Sequence, residues 1–344
     1  MSLKTNSSAV APLVAYAPFS ESYSTPTKKR SAKPSVAQTN INFLDKPLFI
    51  PSRSLEDPVT GIKTKLDQCR YYNDGNGFEI QAMVNTELKA QGFKAFFGLP
   101  SFFDKKVLYM LASHLPVFDV NLADAKSLLD DDHEGLIRTV EITNIRGFLR
   151  SIGTSTCGKQ VLHLKEALLR WKNLILSFHN NSLTVSAGED GDVVRTVVES
   201  KRIEVLDRVE FVEGATGKIQ SIKVTFNPNF LICNNDKFSR RVSLDVFCNL
   251  ARPTAARLYE ILSKNFWGTS GRKLCRRTQA PKWSINLDNL LAKMGSKSDY
   301  NAKSTIRKAI KEINEKDESY LFRVDFRTGV EGQTVVDFVR HKMR

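Results

Sequence analysis

Four cations near the carboxyl end of the chain are the residues whose types and spacing most clearly indicate a chemical function. Lys303, Arg307 and Lys311 recur at every fourth position, and Lys308 stands beside Arg307. This spacing places them on one side of a predicted helix. The other side is apolar and is formed by Ile306, Ala309, Ile310 and Ile313. Clustered ammonium and guanidinium groups bind phosphates, so the pattern favours contact with a polyanion over a merely solvated face.

A second stripe of candidate contacts lies in the middle of the chain. Lys159, His163 and Arg170 fall on one side of a helix predicted over residues 159–171. Glu166 stands among them and reduces the positive charge of the stripe. Contact with a DNA groove and an ordinary solvated helix face therefore remain equal alternatives for these residues.

No catalytic motif accompanies these stripes. The chain lacks the phosphate-binding loop, dinucleotide and zinc-protease patterns, and Gln160 stands where a phosphate-binding loop would carry a hydroxyl. Tyr71 and Tyr72 could act as nucleophiles of a DNA nickase, but the five histidines are scattered without a His-x-His pair. The five cysteines also lack metal-finger spacing, which indicates a reduced compartment. The sequence predicts no enzyme, no metal site and no cofactor.

The composition limits the partners of the protein. A formal net charge of +14 and a pI of about 9.5 indicate a polyanionic partner, most simply nucleic acid. No apolar run approaches the roughly 18 residues that cross a bilayer, so no membrane association is expected. The absence of an export signal predicts a cytoplasmic protein associated with the nucleoid or a plasmid.

Both stripes lie on predicted helices, which a surrounding fold must hold in place. The sequence predicts the same order of elements twice. The order is a helix, a strand, two helices joined by a turn, and a β-hairpin, which is typical of the winged-helix fold. The first copy is predicted as helix 104–114, strand 138–142, helices 144–152 and 159–171, and strands 173–177 and 193–198. The second is predicted as a helix from Pro253, strand 282–285, helices 287–294 and 301–314, and strands 320–326 and 334–339. Only this layout repeats, without a strict sequence repeat.

The fold class predicted from these elements is α+β, with tandem winged-helix domains and a disordered amino-terminal arm. Residues 1–40 form the basic arm, which is rich in Ser, Thr, Ala and Pro. Residues 41–235 form the first domain and residues 236–344 the second. Extra elements of the first domain and its connection are predicted as strands 77–87, 202–206, 218–226 and 230–232 and helices 122–129 and 238–249.

Three stretches resemble the bacterial plasmid replication initiators with two winged-helix domains, including their TrfA-like and RepA-like branches. One runs from Ile152 to Trp171 and contains the run from Leu164 to Trp171. Another is Val224-Thr225-Phe226-Asn227 with Phe230. The nearest match is Pro253-Thr254-Ala255-Ala256-Arg257-Leu258-Tyr259-Glu260-Ile261-Leu262. The resemblance covers roughly residues 45–340, and the basic connector 264–282 and the arm depart from it.

The resemblance implies binding to double-stranded direct repeats (iterons) at a plasmid origin, and recruitment of the host initiator ATPase and the replicative helicase. It also implies a dimer that represses its own promoter and a monomer that initiates replication. The implied recognition residues are Lys303, Arg307, Lys308 and Lys311 in the second domain and Lys159, His163 and Arg170 in the first, and the sequence does not assign which of them contact bases and which contact phosphates. Arg323 and Arg327 would flank the wing and contact phosphates.

Two other classes of protein share these residues. A winged-helix transcriptional regulator without an initiator role would protect one palindrome rather than tandem repeats. A nucleoid or RNA-binding protein would bind without sequence preference.

Overall fold

The part of the chain that the structure describes contains two units of the same design. The computed structural model describes residues 17–18, 36–40, 44, 46–56, 60–74, 77–90, 92–115, 138–179, 200–215, 218–232, 239–266, 282–295 and 300–343. We call residues 102–226 the first unit and residues 253–342 the second unit.

Each unit contains a three-stranded antiparallel arrangement in which the last strand lies in the centre. In the second unit, Thr334–Lys342 lies between Lys282–Asn286 and Tyr320–Thr328. In the first unit, Ile219–Phe226 lies between Thr139–Ile142 and Leu206–Glu213. Ala17–Pro18 adds a short parallel strand to the outer edge of the first-unit sheet.

Three helices complete each unit. The first, second and third helices are Phe102–Ala112, Ile145–Ser151 and Gly158–Lys172 in the first unit, and Pro253–Phe266, Leu287–Lys293 and Ala302–Lys316 in the second. The third helix packs against the first helix and against the outer hairpin strand in both units. This helix, strand, helix, helix and hairpin order is the winged-helix arrangement, so the predicted fold class is confirmed.

The two helix-turn-helix segments keep the same spacing. Each residue of the first corresponds to the residue 142 positions later, as Asn144 does to Asn286. Both asparagines cap the second helix by accepting a backbone N–H at 2.8 Å. Gly153 and Gly295 end that helix with φ of 72° and 67°, a conformation that suits glycine. The two second helices therefore have the same length, 7 residues in each unit.

The buried faces of the third helices obey the same correspondence. Leu164, Ala167, Leu168 and Trp171 are buried in the first unit, and Ile306, Ala309, Ile310 and Ile313 are buried in the second. These positions recur at helical spacing and form one stripe. The correspondence then assigns Lys165, Glu166 and Leu169 to the positions of Arg307, Lys308 and Lys311.

The wing of the first unit is not the hairpin expected from the sequence. Leu174–His179 lies between Phe78–Ala82 and Ser200–Glu204 in a separate four-stranded sheet with Tyr71–Asn73 at its edge. The strand expected over residues 193–198 lies outside the described residues. The wing is instead Leu206–Glu213 with Ile219–Phe226, since among the described residues this is the hairpin that pairs with Thr139–Ile142 in the arrangement of the second unit. The inserted strands show the ordinary alternation of apolar and polar residues. The sequence therefore carries no signal that distinguishes them from a wing.

Other elements differ from expectation for local reasons. Residues 230–232 belong to a helix, Pro228–Ile232, whose first residue is a favourable helix start. The helix expected from residue 238 begins with strand Ser239–Ser243, and Ser243 then caps the helix Leu244–Asn249. The strand expected over residues 77–87 ends at Ala82, and a short helix, Thr86–Ala90, follows. The predicted helix 122–129 lies outside the described residues.

The remaining described elements precede the first unit. Val36–Asn40 pairs antiparallel with Ser239–Ser243, so this part of the predicted arm is a strand, and the rest of the arm except residues 17–18 lies outside the described residues. A small hairpin joins Ser54–Glu56 to Lys63–Lys65, and a 3-10 turn follows at Leu66–Gln68. No helix in the described ranges is both long and apolar enough to cross a bilayer.

The two units meet around a buried carboxylate, Glu260, in the first helix of the second unit. Its oxygens accept hydrogen bonds from the Tyr109 hydroxyl and, at 2.9 Å, from Arg257, and Lys105 Nζ lies 3.6 Å away. The side chains of Glu260, Arg257 and Lys105 are wholly buried. Burial lowers the pKa of Lys105 to about 8, although Glu260 opposes the shift. Both units belong to one continuous apolar core around this cluster.

Replacement of Glu260 with alanine is expected to destabilise the protein by about 3–5 kcal/mol, because it leaves two buried cations without an anion. Urea unfolding of the full chain measures the change. Glu56→Ala is the control, because Glu56 pairs with Lys63 at 3.8 Å on the surface and should contribute less than about 1 kcal/mol. Equal losses in the two variants would contradict the role given to Glu260.

Candidate nucleic-acid interface

The third helix of the second unit presents an open cationic face. Lys303, Arg307, Lys308 and Lys311 are all exposed. Within the described part of the chain, none of the four forms an ion pair. Glu312, which the sequence places next to them, turns inward and accepts hydrogen bonds from the backbone N–H groups of Ala251 and Arg252 at 2.5 and 3.1 Å. The helix therefore keeps its positive charge directed to solvent.

An aromatic ring supports two of these cations from the wing. The Arg307 guanidinium lies 4.9 Å from the centroid of the Phe326 ring, and Lys303 Nζ lies 5.9 Å from it. Phe326 is part of strand Tyr320–Thr328 and is half-buried. The wing and the third helix thus form one surface.

The two wing arginines differ in their surroundings. Arg323 is exposed. Arg327 Nε donates to Asp337 at 2.8 Å, and Lys282 Nζ lies 3.2 Å from the same oxygen. Burial alone would raise the pKa of Asp337, but hydrogen bonds from Ser284, Arg327 and Lys282 hold it below its ordinary value. Arg323 consequently has no acidic partner among the described residues, whereas the charge of Arg327 is partly neutralised.

The corresponding face of the first unit is covered. Residues 86–90 and 92–97, which we call the covering segment, lie across the third helix. Lys165 Nζ lies 5.7 Å from the Phe93 ring centroid, and Glu166 pairs with Lys94 at 2.7 Å. Leu169 is buried against Leu88, Phe93 and Phe97. All three residues occupy positions that carry exposed cations in the second unit.

The structure separates the three residues predicted in the first unit. Lys159 is exposed in the first turn of the third helix. His163 makes a T-shaped contact with the Phe103 ring and lines a cleft of about 390 Å³. Arg170 pairs with Asp104, donates to the Phe97 carbonyl at 2.8 Å, and has a side chain only 13% exposed. Arg170 therefore joins the first and third helices of its unit, and the expected open stripe of three side chains is not formed.

Sequence reasoning missed Phe326 and the covering segment. Nothing in the spacing of Phe326 distinguishes it from a core aromatic residue. The sequence did carry one signal of the covering segment. The apolar face of helix 159–171 is wide enough to include Leu169, and an apolar residue is not expected at a position that faces DNA. Among the described residues, no group of three His, Cys, Asp or Glu side chains could hold a metal ion.

Two winged-helix units, one with an exposed cationic third helix beside its wing, define a nucleic-acid-binding protein. The family model described as "Replication initiator protein A" matches residues 55–321, and the chain belongs to this family. The protein is therefore a replication initiator, and the expectation that it is not an enzyme agrees with that membership.

Comparison with solved structures finds distant similarity. A selenomethionine derivative of domains 2 and 3 of RctB is 13% identical, with a TM-score of 0.45, and the match covers 86% of this chain and 98% of that one. The Pi initiator protein in complex with iteron DNA is 14% identical, with a TM-score of 0.42 and coverage of 78% and 99%. Comparison with curated proteins finds no match.

The joint replacement of Lys303 and Arg307 with alanine is expected to weaken duplex DNA binding and its dependence on salt. Each cation that contacts a phosphate releases counterions, so the slope of log affinity against log salt should fall by about 2. Fluorescence anisotropy across a salt series measures both quantities.

The matched control is Lys63→Ala with Lys65→Ala, which removes the same charge from an exposed hairpin outside both units. We expect the slope of this control to stay near that of the wild type. The same loss in both double variants would show that net charge, rather than the third helix, determines binding.

Proposed function

We propose that this replication initiator binds double-stranded repeats at a plasmid origin, with the second unit as its principal reading head. The supporting observation is the exposed face of Lys303, Arg307, Lys308 and Lys311, which lacks an acidic partner among the described residues. A helix of this kind fits the major groove of B-DNA, and its wing reaches the adjacent backbone. Arg323, with Arg327 beside it, contacts phosphates.

The first unit has a different part in this proposal. Its third helix offers Lys159 near its exposed amino-terminal end, where it contacts a phosphate. The remainder of that helix is held by the covering segment, so His163 and Arg170 keep structural roles. The first unit thereby fixes the orientation of the protein on a repeat and contributes less to the choice of sequence.

Further parts of the proposal rest on the family alone. They are recruitment of the host initiator ATPase and the replicative helicase, repression of its own promoter by a dimer, and initiation by a monomer. The division into domains at residues 41–235 and 236–344 and action in the cytoplasm on the plasmid are also proposed, on the order of the predicted elements and on the sequence respectively.

A footprint on the DNA that flanks the coding region tests the proposed function. Protection of several tandem repeats beside an AT-rich segment is the expected result. Protection of a single palindrome would instead indicate a transcriptional regulator without an initiator role.

Competition with random-sequence duplex and with RNA complements the footprint. An initiator should retain its complex with the repeats, because base contacts add to the phosphate contacts that all sequences share. Equal competition by random DNA or RNA would identify a non-specific nucleoid or RNA-binding protein.

A further inference from the structure

Phe326 stands where the wing of the second unit meets the third helix. Its strand partner, Val336, is fully buried and pairs in turn with Ile285. The ring is therefore anchored at the edge of the core and lies against the cations of the helix. Arg307 is the nearer of the two, at 4.9 Å from the ring centroid.

The same arrangement recurs in the first unit. Phe211 pairs with the buried Ile222, which pairs with Ile142, so Phe211 holds the position in the sheet that Phe326 holds in the second unit. Lys165 Nζ lies 5.1 Å from the Phe211 centroid. Lys165 is also the residue that corresponds to Arg307 in the spacing of the two helices. An aromatic residue under this helix position is thus a repeated feature of the chain.

The two copies differ in their access to solvent. Lys165 is enclosed by Phe93 and by Glu213, which lies 3.6 Å away, and its side chain is only 19% exposed. Arg307 is exposed and has no acidic partner among the described residues. Only the second-unit copy can present its cation to a partner.

We propose that Phe326 is a positioning residue for DNA recognition, which holds the Arg307 guanidinium extended toward the groove. The proposal rests on the proposed function of the third helix. An aromatic ring attracts a cation without neutralising its charge, unlike the carboxylates that hold Arg170 and Arg327. A guanidinium that is already restrained loses less conformational freedom when it binds, so the ring increases affinity without contacting DNA.

A double-mutant cycle of Phe326→Leu and Arg307→Ala tests the coupling. Leucine retains apolar volume but removes the ring, so Phe326→Leu alone should weaken binding by about fivefold. In the Arg307→Ala background the same change should have almost no effect. Binding of the full-length variants is measured with a labelled duplex from the DNA that flanks the coding region.

Two readouts separate positioning from support of the fold. Phe326→Leu should leave the slope of log affinity against log salt unchanged, because the number of cations is unchanged, whereas Arg307→Ala should lower it by about 1. A loss of affinity from Phe326→Leu that is equal in both backgrounds would overturn the proposal, as would no loss at all.

Two further variants are controls that distinguish the specific effect of the Phe326 ring from a general effect on folding. Phe326→Trp keeps an aromatic face and should bind at least as tightly as the wild type; affinity as low as that of Phe326→Leu would contradict the proposal. Phe211→Leu removes the equivalent ring of the first unit and should leave DNA affinity within about twofold, because Lys165 is enclosed. Thermal unfolding verifies that each variant is folded.

The outcomes also distinguish this proposal from the proposed function. If the wild type fails to bind the duplex, or if Arg307→Ala binds as well as the wild type, the function assigned to the helix is wrong. If Arg307→Ala binds weakly while Phe326→Leu matches the wild type, the helix reads DNA without help from the ring.

Discussion

The single carboxylate of Glu260 holds two cations and a phenol in a region without solvent access, and both units are built around it. Lys105 and Tyr109 come from the first helix of the first unit, whereas Arg257 comes from the first helix of the second. Arg257 also donates to the carbonyls of Leu44 and Lys293, both at 2.9 Å. Removal of one partner from a buried charge cluster is costly, so this cluster favours the meeting of these two helix faces. Each first helix also packs against the third helix of its own unit.

The two units share one set of caps and buried residues, which we call the frame, but they present different surfaces. The caps, the glycines that end the second helices and the buried stripes of the third helices share a spacing of 142 residues. The residues outside that frame diverge, because Arg307, Lys308 and Lys311 face solvent while Lys165, Glu166 and Leu169 lie under the covering segment. The corresponding residues Arg170 and Glu312 also differ in sign, because Arg170 pairs with Asp104 of the first helix, whereas Glu312 accepts hydrogen bonds from Ala251 and Arg252 just before the first helix of its unit. The packed residues of the two units therefore correspond, whereas their surface residues differ, and the proposed function assigns DNA reading to the unit with the exposed cations.

Much of the frame could be predicted from the sequence, because helical periodicity and caps are local signals. The helix from Ala302 and the wing after it were expected in nearly their observed places. The wing of the first unit was not expected in its observed place, because strand pairing is decided by residues that are distant in the sequence. The inserted strands also show the same alternation of apolar and polar residues as any other strand. The roles of Arg170 and Phe326 were hidden for the same reason, because their partners Asp104 and Arg307 come from other elements.

Lysine acetylation of the full-length protein, with and without DNA of the origin repeats, tests most directly whether the second unit is the reading head. DNA is expected to protect Lys303, Lys308 and Lys311, because they would face the groove. Lys94 has a side chain 65% exposed and lies on the covering segment, so it should react equally in both samples. Protection of Lys94 together with unchanged reactivity of the three second-unit lysines would contradict the account.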